Sequence, residues 1–572
     1  MGPSRAQRFW RRTERLFIEN WTGIIGVVVV VAGVTFVVIN VALRLGPFER
    51  FWMTVAVAIA LAAPSFVLGA RLPWRNLTHW MRSGGAALFL FASAAGGGLP
   101  GLGLQWLHDP RQGLALLSLG VVVNLALAGV ARTQTIASLH VVLGLVPLMI
   151  VLDNQPDLAA ETLLIASLVA VVGLVLPLRR PWDPHLLVVT LAYASFHGAW
   201  FLRCAEALQA SGDLRLRGAL AALVVFGGGA LLQHRRLLGR SEGSAPSLAP
   251  LPLALQLSNW GALALALLIY PQQAASRAGA LVLAAAVAAL LARRARRAGV
   301  NWLRLNDTLI AQSLAMGAVI GLHPLIANGP LLLAILLLET QLFLRLGITE
   351  NDTTIRRLGW VLVSLNGAAL VLAGVQAGVG GGAPGRLWQD GAVLIGAAAL
   401  LTAVQWRLRL GNIPVPLPPL LGWLAGGLAF VGTMVCPPEP SRELLALVVI
   451  GALLVAGRYL RPAGVLAGAT AAAVAAHAVG WSHVLLELAP STHGGVTLYA
   501  QGWSPQTYLP HLGPLAALAL LALSMRRQKL VSGVGWALFN GTGVVLLLGT
   551  VLSTATQGGS GGLALNGGAL VV

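Results

Sequence analysis

The chain has 572 residues, of which 57% are hydrophobic and only 10% charged, and its mean hydropathy is +0.80. A soluble globular core cannot accommodate that composition, so the expected class is an all-α, polytopic transmembrane protein. Basic residues outnumber acidic ones by 38 to 19, and with Lys529 as the only lysine the net charge of +19 is carried by arginine. These arginines stand in short caps between apolar stretches, not on one soluble face. That placement excludes nucleic acid as the expected partner and points to membrane lipids, including anionic headgroups.

Residues 1–20 form a basic segment with Arg11, Arg12 and Arg15, expected in the cytoplasm. The apolar stretch at 21–46 exceeds a signal-peptide core and has no small-x-small cleavage site, so it reads as a retained first span. A window of about 20 residues predicts about nineteen spans along the chain. The first eight are 21–46, 51–71, 83–105, 112–131, 134–152, 158–178, 185–207 and 216–234. The next nine are 249–270, 276–293, 305–326, 329–346, 358–379, 387–407, 417–435, 441–457 and 463–481, and the last two are 509–526 and 531–552.

This divides the chain into a first hairpin array at 21–239, a flexible linker at 240–250 and a second array at 251–481. An outer-face loop at 482–508, two final helices at 509–552 and an outer glycine-rich tail at 553–572 follow.

Arginine recurs after every even-numbered span, at Arg71, Arg132, Arg179, Arg235, Arg293, Arg345, Arg407, Arg458 and Arg526 or within a few residues of them. Connections after odd-numbered spans, such as Asp153 to Asp157 and Pro271 to Gln273, are poorer in positive charge. By the positive-inside rule this bias predicts a cytoplasmic N-terminus in a bacterial inner membrane. Each arginine also offsets the negative end of a helix dipole. Even helices end alike, as at 288–294, 453–459 and 520–527, and odd helices carry a polar residue beside glycine at His197, Asn259, Asn366 and Asn540. The pattern predicts tandem duplication of a two-helix, arginine-capped hairpin.

Ionisable residues inside spans are the first place to seek function, because an unpaired charge in hydrocarbon costs several kcal/mol. Glu339 is the leading candidate, with His323 as a possible partner, and His197, Asn259, Asn366 and Asn540 could line a polar path. The same amide and imidazole groups beside glycine are also the ordinary glue between membrane helices. Arg203 and Glu206, three apart, are expected to pair with each other.

His477, His483, His493 and His511 gather in one short region, and His483 and Glu487 share a helix face if that segment is helical. No third ligand has a diagnostic spacing, and Trp481, Tyr499, Trp503 and Tyr508 fit an interfacial aromatic belt. Cys204 and Cys436 are too few for a disulfide framework. Phosphate-binding, nucleophile-elbow and metalloprotease motifs are missing from the chain, so no catalytic residue, metal or cofactor is expected.

The entry Glu19-Asn20-Trp21-Thr22-Gly23-Ile24-Ile25-Gly26 and the repeated arginine-capped hairpins resemble a family of large uncharacterised bacterial membrane proteins built from many consecutive hairpins. The resemblance implies an inner-membrane location and carries over no site; the extended polar N-terminal region common in that family is missing here. Two functions fit these readings. One is a non-enzymatic scaffold or accessory subunit with a membrane-protein partner; the other is a transporter or flippase for a lipid-like or glycan substrate.

Overall fold

In a bilayer the backbone must satisfy its own polar groups, and the apolar stretches do so as helices. The computed structural model describes residues 25, 29, 45–68, 75–97, 105–131, 133–178, 180, 182–240, 250–326, 328–379, 383–436, 442–462, 464–487, 491–493, 496–498, 505–525 and 529–557. The arginines of the N-terminal segment, nearly all of the first predicted span, the body of the linker and most of the tail lie outside these residues.

The first unit, residues 1–314, contains α1 (Pro47–Leu68), α2 (Arg75–Gly96), α3 (Pro110–Val130), α4 (Gln134–Asn154), α5 (Ala159–Val175) and α6 (Asp183–Arg203). The short α7 (Ala205–Ala210) leads into α8 (Gly212–Ala222), which continues through a π-helical turn, Leu223–Gly227, into α9 (Gly228–Arg240). Then come α10 (Pro250–Ile269), α11 (Ala274–Arg297) and α12 (Asn301–Gly321), whose last turns belong to the second unit.

That unit, residues 315–572, continues with α13 (Gly329–Thr349), α14 (Thr353–Val379), α15 (Pro384–Leu410), α16 (Leu420–Val435), α17 (Arg442–Tyr459) and α18 (Val465–Glu487). A two-residue-spaced antiparallel ribbon of β1 (Ser491–His493) and β2 (Val496–Leu498) precedes α19 (Pro505–Ser524) and α20 (Lys529–Gln557). Twelve helices among the described residues are long and apolar enough to cross a membrane.

The turns that carry arginine share a local chemistry. After α11, Gly299 adopts φ +73°, its N–H donates to Arg296 O and the Val300 N–H donates to Ala295 O. Asn351 after α13 (φ 52°) and Asn412 after α15 (φ 46°) repeat the arrangement, with Asp352 N–H to Gly347 O and Ile413 N–H to Leu408 O. This paired closure satisfies the last carbonyls of a helix and needs a left-handed residue, which glycine or asparagine supplies. Buried Val300 packs with Ala295, and Ile413 packs on the cluster containing Leu408, which adds the apolar contact typical of the motif.

Arginine supplies a second closure, between helices. Arg180 Nη1 donates to Ala131 O at 2.7 Å, Arg236 Nη2 to Arg180 O at 2.8 Å and Arg409 Nη1 to Leu460 O at 3.0 Å. Arg82 donates to Ser65 Oγ and O at 2.9 and 2.8 Å and covers the Phe66 ring at 4.2 Å. The acceptors lie at or just beyond the ends of other helices, so these side chains cap a neighbour more than their own element. Arg82 also corrects an expected boundary. The sequence placed it in a loop before a span starting at 83, whereas α2 starts at Arg75 and its early turns are helical because their polar side chains fold back on α1. Arg203 likewise meets Asp153 at 3.0 Å, between the ends of α6 and α4, and not Glu206.

Cores differ between the units. In the first, α6 packs on α4, α5 and α10, burying Val189, Tyr193, Phe196 and Trp200. In the second, the short α16 packs on α14, α15, α17 and α18. Its glycines permit this: a Cβ on Gly426 would stand 2.8 Å from Gly468 Cα of α18, and one on Gly432 would stand 3.0 Å from Leu394 Cβ of α15. With no hydrophobic drive between helices in lipid, such close backbone approach supplies the packing energy. Gly426→Ala should therefore destabilise the purified protein by about 1–3 kcal/mol through overpacking. Gly396→Ala, with open space around it, should leave thermal melting unchanged or stabilise it by about 0.5–1 kcal/mol.

Candidate functional site

Polar side chains inside the first unit form pairs and triads between neighbouring helices. On α3 and α4, Asn124 is held to His140 twice: its Nδ2 donates to the His140 carbonyl, and its Oδ1 lies 2.6 Å from His140 Nδ1. Since an amide oxygen only accepts, Nδ1 carries the proton and Nε2 accepts from Ser83 Oγ of α2 at 3.1 Å. His185 of α6 donates from Nε2 to Gly173 O at 2.9 Å and meets Ser138 Oγ at 2.9 Å. Tyr193 meets Ser167 at 2.8 Å.

Along the seam between α6 and α10, His197 Nε2 and Tyr270 Oη stand 2.7 Å apart, and Thr190 Oγ1 donates to Asn259 Oδ1 at 3.5 Å. His197 also sits among Tyr193, Trp200, Phe226 and Tyr270, with ring centroids 5.6–6.1 Å away. These groups close on one another and join helices.

One cluster does not close. His234 Nδ1 of α9 lies 2.8 Å from Asp307 Oδ2 of α12, and Gln256 Nε2 of α10 donates to Asp307 Oδ1 at 3.3 Å. Each of the three is six residues from the end of its helix, roughly 9 Å along the axis at the helical rise. His234 is 1% exposed and Asp307 0%. Beside them Gln233 and Asn306 are also buried. Among the described residues, both amide atoms of Gln233, His234 Nε2, Gln256 Oε1 and Asn306 Nδ2 have no hydrogen-bond partner. A buried carboxylate is expensive unless paired, and buried polar atoms cost about 1–3 kcal/mol each when unpartnered.

In the second unit, Thr340 accepts from Asn366 Nδ2 at 3.4 Å, and Asn328, the N-cap of α13, donates to Asp390 of α15. His477 of α18 reaches two carbonyls, Ala473 O at 2.7 Å and Leu515 O at 2.8 Å. His511 of α19 meets buried Glu443 of α17 at 3.0 Å.

The residues singled out from the sequence are thus dispersed. Glu339 is half-buried on α13, His323 is exposed just past α12, and Asn540 is exposed on α20. His197, Asn259 and Asn366 each have a partner on another helix. His483 and Glu487 both lie on the last turns of α18 and His493 lies on β1, with side chains outside the described set. Cys204 and Cys436 are buried free thiols. No group of three or more metal-ligating side chains occurs among the described residues.

The His234, Asp307 and Gln256 cluster was not singled out from the sequence. His234 closes one predicted span and Asp307 is the third residue of another, positions that read as interfacial. Their common distance from the arginine-bearing ends is the signal that could have found them.

Comparison with family models, with curated proteins and with solved structures finds no match to this chain.

Tyr270→Phe should cost about 1–3 kcal/mol by leaving buried His197 Nε2 unpartnered. Adding His197→Phe should recover part of that loss, and a thermal-melting double-mutant cycle measures the coupling.

Proposed function

We propose that this protein is a non-enzymatic scaffold or accessory subunit of a bacterial inner-membrane complex. In this reading it has about nineteen spans, built as tandem arginine-capped hairpins, with the arginine-bearing turns in the cytoplasm. The observation that carries the reading is the pairing of the nominated path residues: His197 with Tyr270, Asn259 with Thr190, and Asn366 with Thr340. Three of the four odd-helix polar residues beside glycine are engaged as interhelical glue, and the fourth, Asn540, is exposed on α20. A transport path asks for polar groups that converge on a substrate, whereas a scaffold asks for a rigid interior and a broad apolar exterior. Exposed Leu202, Leu283, Leu372 and Val379 supply such an exterior for lipid or a partner helix.

Tandem duplication is supported by the common closure after α11, α13 and α15, where Gly299, Asn351 and Asn412 occupy equivalent positions. The cytoplasmic assignment of that face rests on charge. Arg82, Arg180, Arg236 and Arg409 crowd one set of helix ends, where anionic headgroups add about 1 kcal/mol per basic residue.

Two measurements test the proposal. Purified from native membranes in mild detergent, the protein should carry a membrane-protein partner at fixed stoichiometry, and proteoliposomes of the protein alone should not move fluorescent lipids between leaflets. A partner-free protein that translocates lipid, with the rate lost in His197→Phe, overturns it in favour of the transporter. For orientation, in a background with Cys204→Ala and Cys436→Ala, Arg297→Cys should react with an impermeant maleimide only after the inner membrane is opened. Gln272→Cys, at the opposite end of α11, should react in intact spheroplasts; the reverse pattern refutes the cytoplasmic placement.

A further inference from the structure

The cluster around Asp307 has a charge to balance and atoms to spare. Its carboxylate oxygens are both engaged, Oδ1 by the Gln256 amide and Oδ2 by His234 Nδ1. Both partners can serve as neutral donors, and with a neutral imidazole the site retains a full negative charge at 0% exposure. The nearest titratable side chains along the packed helices are Arg235, Arg236 and Arg240 on α9, Arg293, Arg294, Arg296 and Arg297 on α11 and Arg304 on α12, while α10 has none. None of these is a partner of Asp307. Arg236 is committed elsewhere, at 2.8 Å from Arg180 O and 3.5 Å from Asp183.

The spare atoms have the chemistry of a ligand set. Gln256 Oε1 belongs to the same amide that touches Asp307, and Gln233, which adjoins His234 on α9, contributes a second buried carbonyl oxygen with no partner. Carboxylate and amide oxygens are hard donors suited to alkali and alkaline-earth cations. One carboxylate balances one positive charge, which favours a monovalent ion over a divalent one. The unpartnered amide nitrogens of Gln233 and Asn306 suit water in the remaining coordination positions.

We propose that Asp307, Gln256 and Gln233 form a binding site for a single sodium-sized monovalent cation, enclosed between α9, α10 and α12. The ion would neutralise the buried carboxylate and tie three helices together, so its binding is coupled to the stability of the first unit. This goes beyond a scaffold role and does not depend on it.

The test is thermal melting of the full chain in nanodiscs at fixed neutral pH, with sodium chloride exchanged for choline chloride at constant ionic strength and potassium chloride as a second arm. The melting temperature should rise with the logarithm of sodium concentration. At sodium about 100 times its Kd, the unfolding equilibrium constant should fall about 100-fold relative to choline. Asp307→Asn should abolish the sodium response, and Gln233→Leu, which keeps the charge but removes one oxygen, should shift it to higher concentration. Should Asp307→Asn fail to fold, Gln233→Leu alone decides. Equal melting of the wild type in sodium, potassium and choline overturns the proposal. So does stability that follows pH with no response to sodium, because a proton on His234 is then the counter-charge.

Discussion

A helix end is the weak point of a chain in lipid, because its last four carbonyls have no partner within the helix and little water to turn to. Much of this structure answers that constraint at one set of ends. Gly299, Asn351 and Asn412 turn the chain so that its next two N–H groups close the helix behind them. Arg180, Arg236 and Arg409 then reach sideways to carbonyls of other elements. Arginine suits this task better than lysine, since a planar fork with five donors can hold a carbonyl and still face water or phosphate. The near absence of lysine thus has a structural reason alongside the electrostatic one.

Away from the ends, two devices hold helices together. In the second unit the glycines of α16 bring backbones close enough that a single methyl group would collide. In the first, imidazole, hydroxyl and amide groups bridge α2 to α4, α5 to α6, and α6 to α10. Such polar bonds contribute only about 0.6 kcal/mol on average in membrane proteins, because the separated helices also find partners. They are therefore better understood as fixing which helix faces which.

The membrane class, the charged face and most helix centres were legible in the sequence, since a long apolar stretch has one outcome in lipid. Boundaries were less so. A rule that ends a span at a charge cannot foresee that Arg82 lies inside α2 and folds back over Phe66, because the stem of an arginine is apolar enough to lie along the neighbouring helix. Pairings were less legible again. Arg203 and Glu206 are neighbours by helical spacing, yet Asp153 is the partner supplied by the fold. The buried cluster escaped notice for a related reason: His234 and Asp307 are 73 residues apart and each sat at a predicted membrane edge, so neither looked buried until α9 and α12 were side by side. Glu339, conspicuous in its apolar run, proved half-buried beside the buried Thr340 and Gln341.

The π-helical turn at Leu223–Gly227 gives one of these arrangements a hereditary character. A turn closed by bonds five residues apart holds one residue more than an α-turn, so it records an insertion accommodated inside a helix without breaking it. Removing one residue there would restore a regular helix from Gly212 to Arg240, but would rotate everything beyond it by about 100°. Gln233 and His234 would swing away from Asp307, and Arg236 from Asp183. The reading frame of helix faces below that turn is thus locked to its length: a deletion that a loop would absorb becomes, at this position, a rewiring of the first unit.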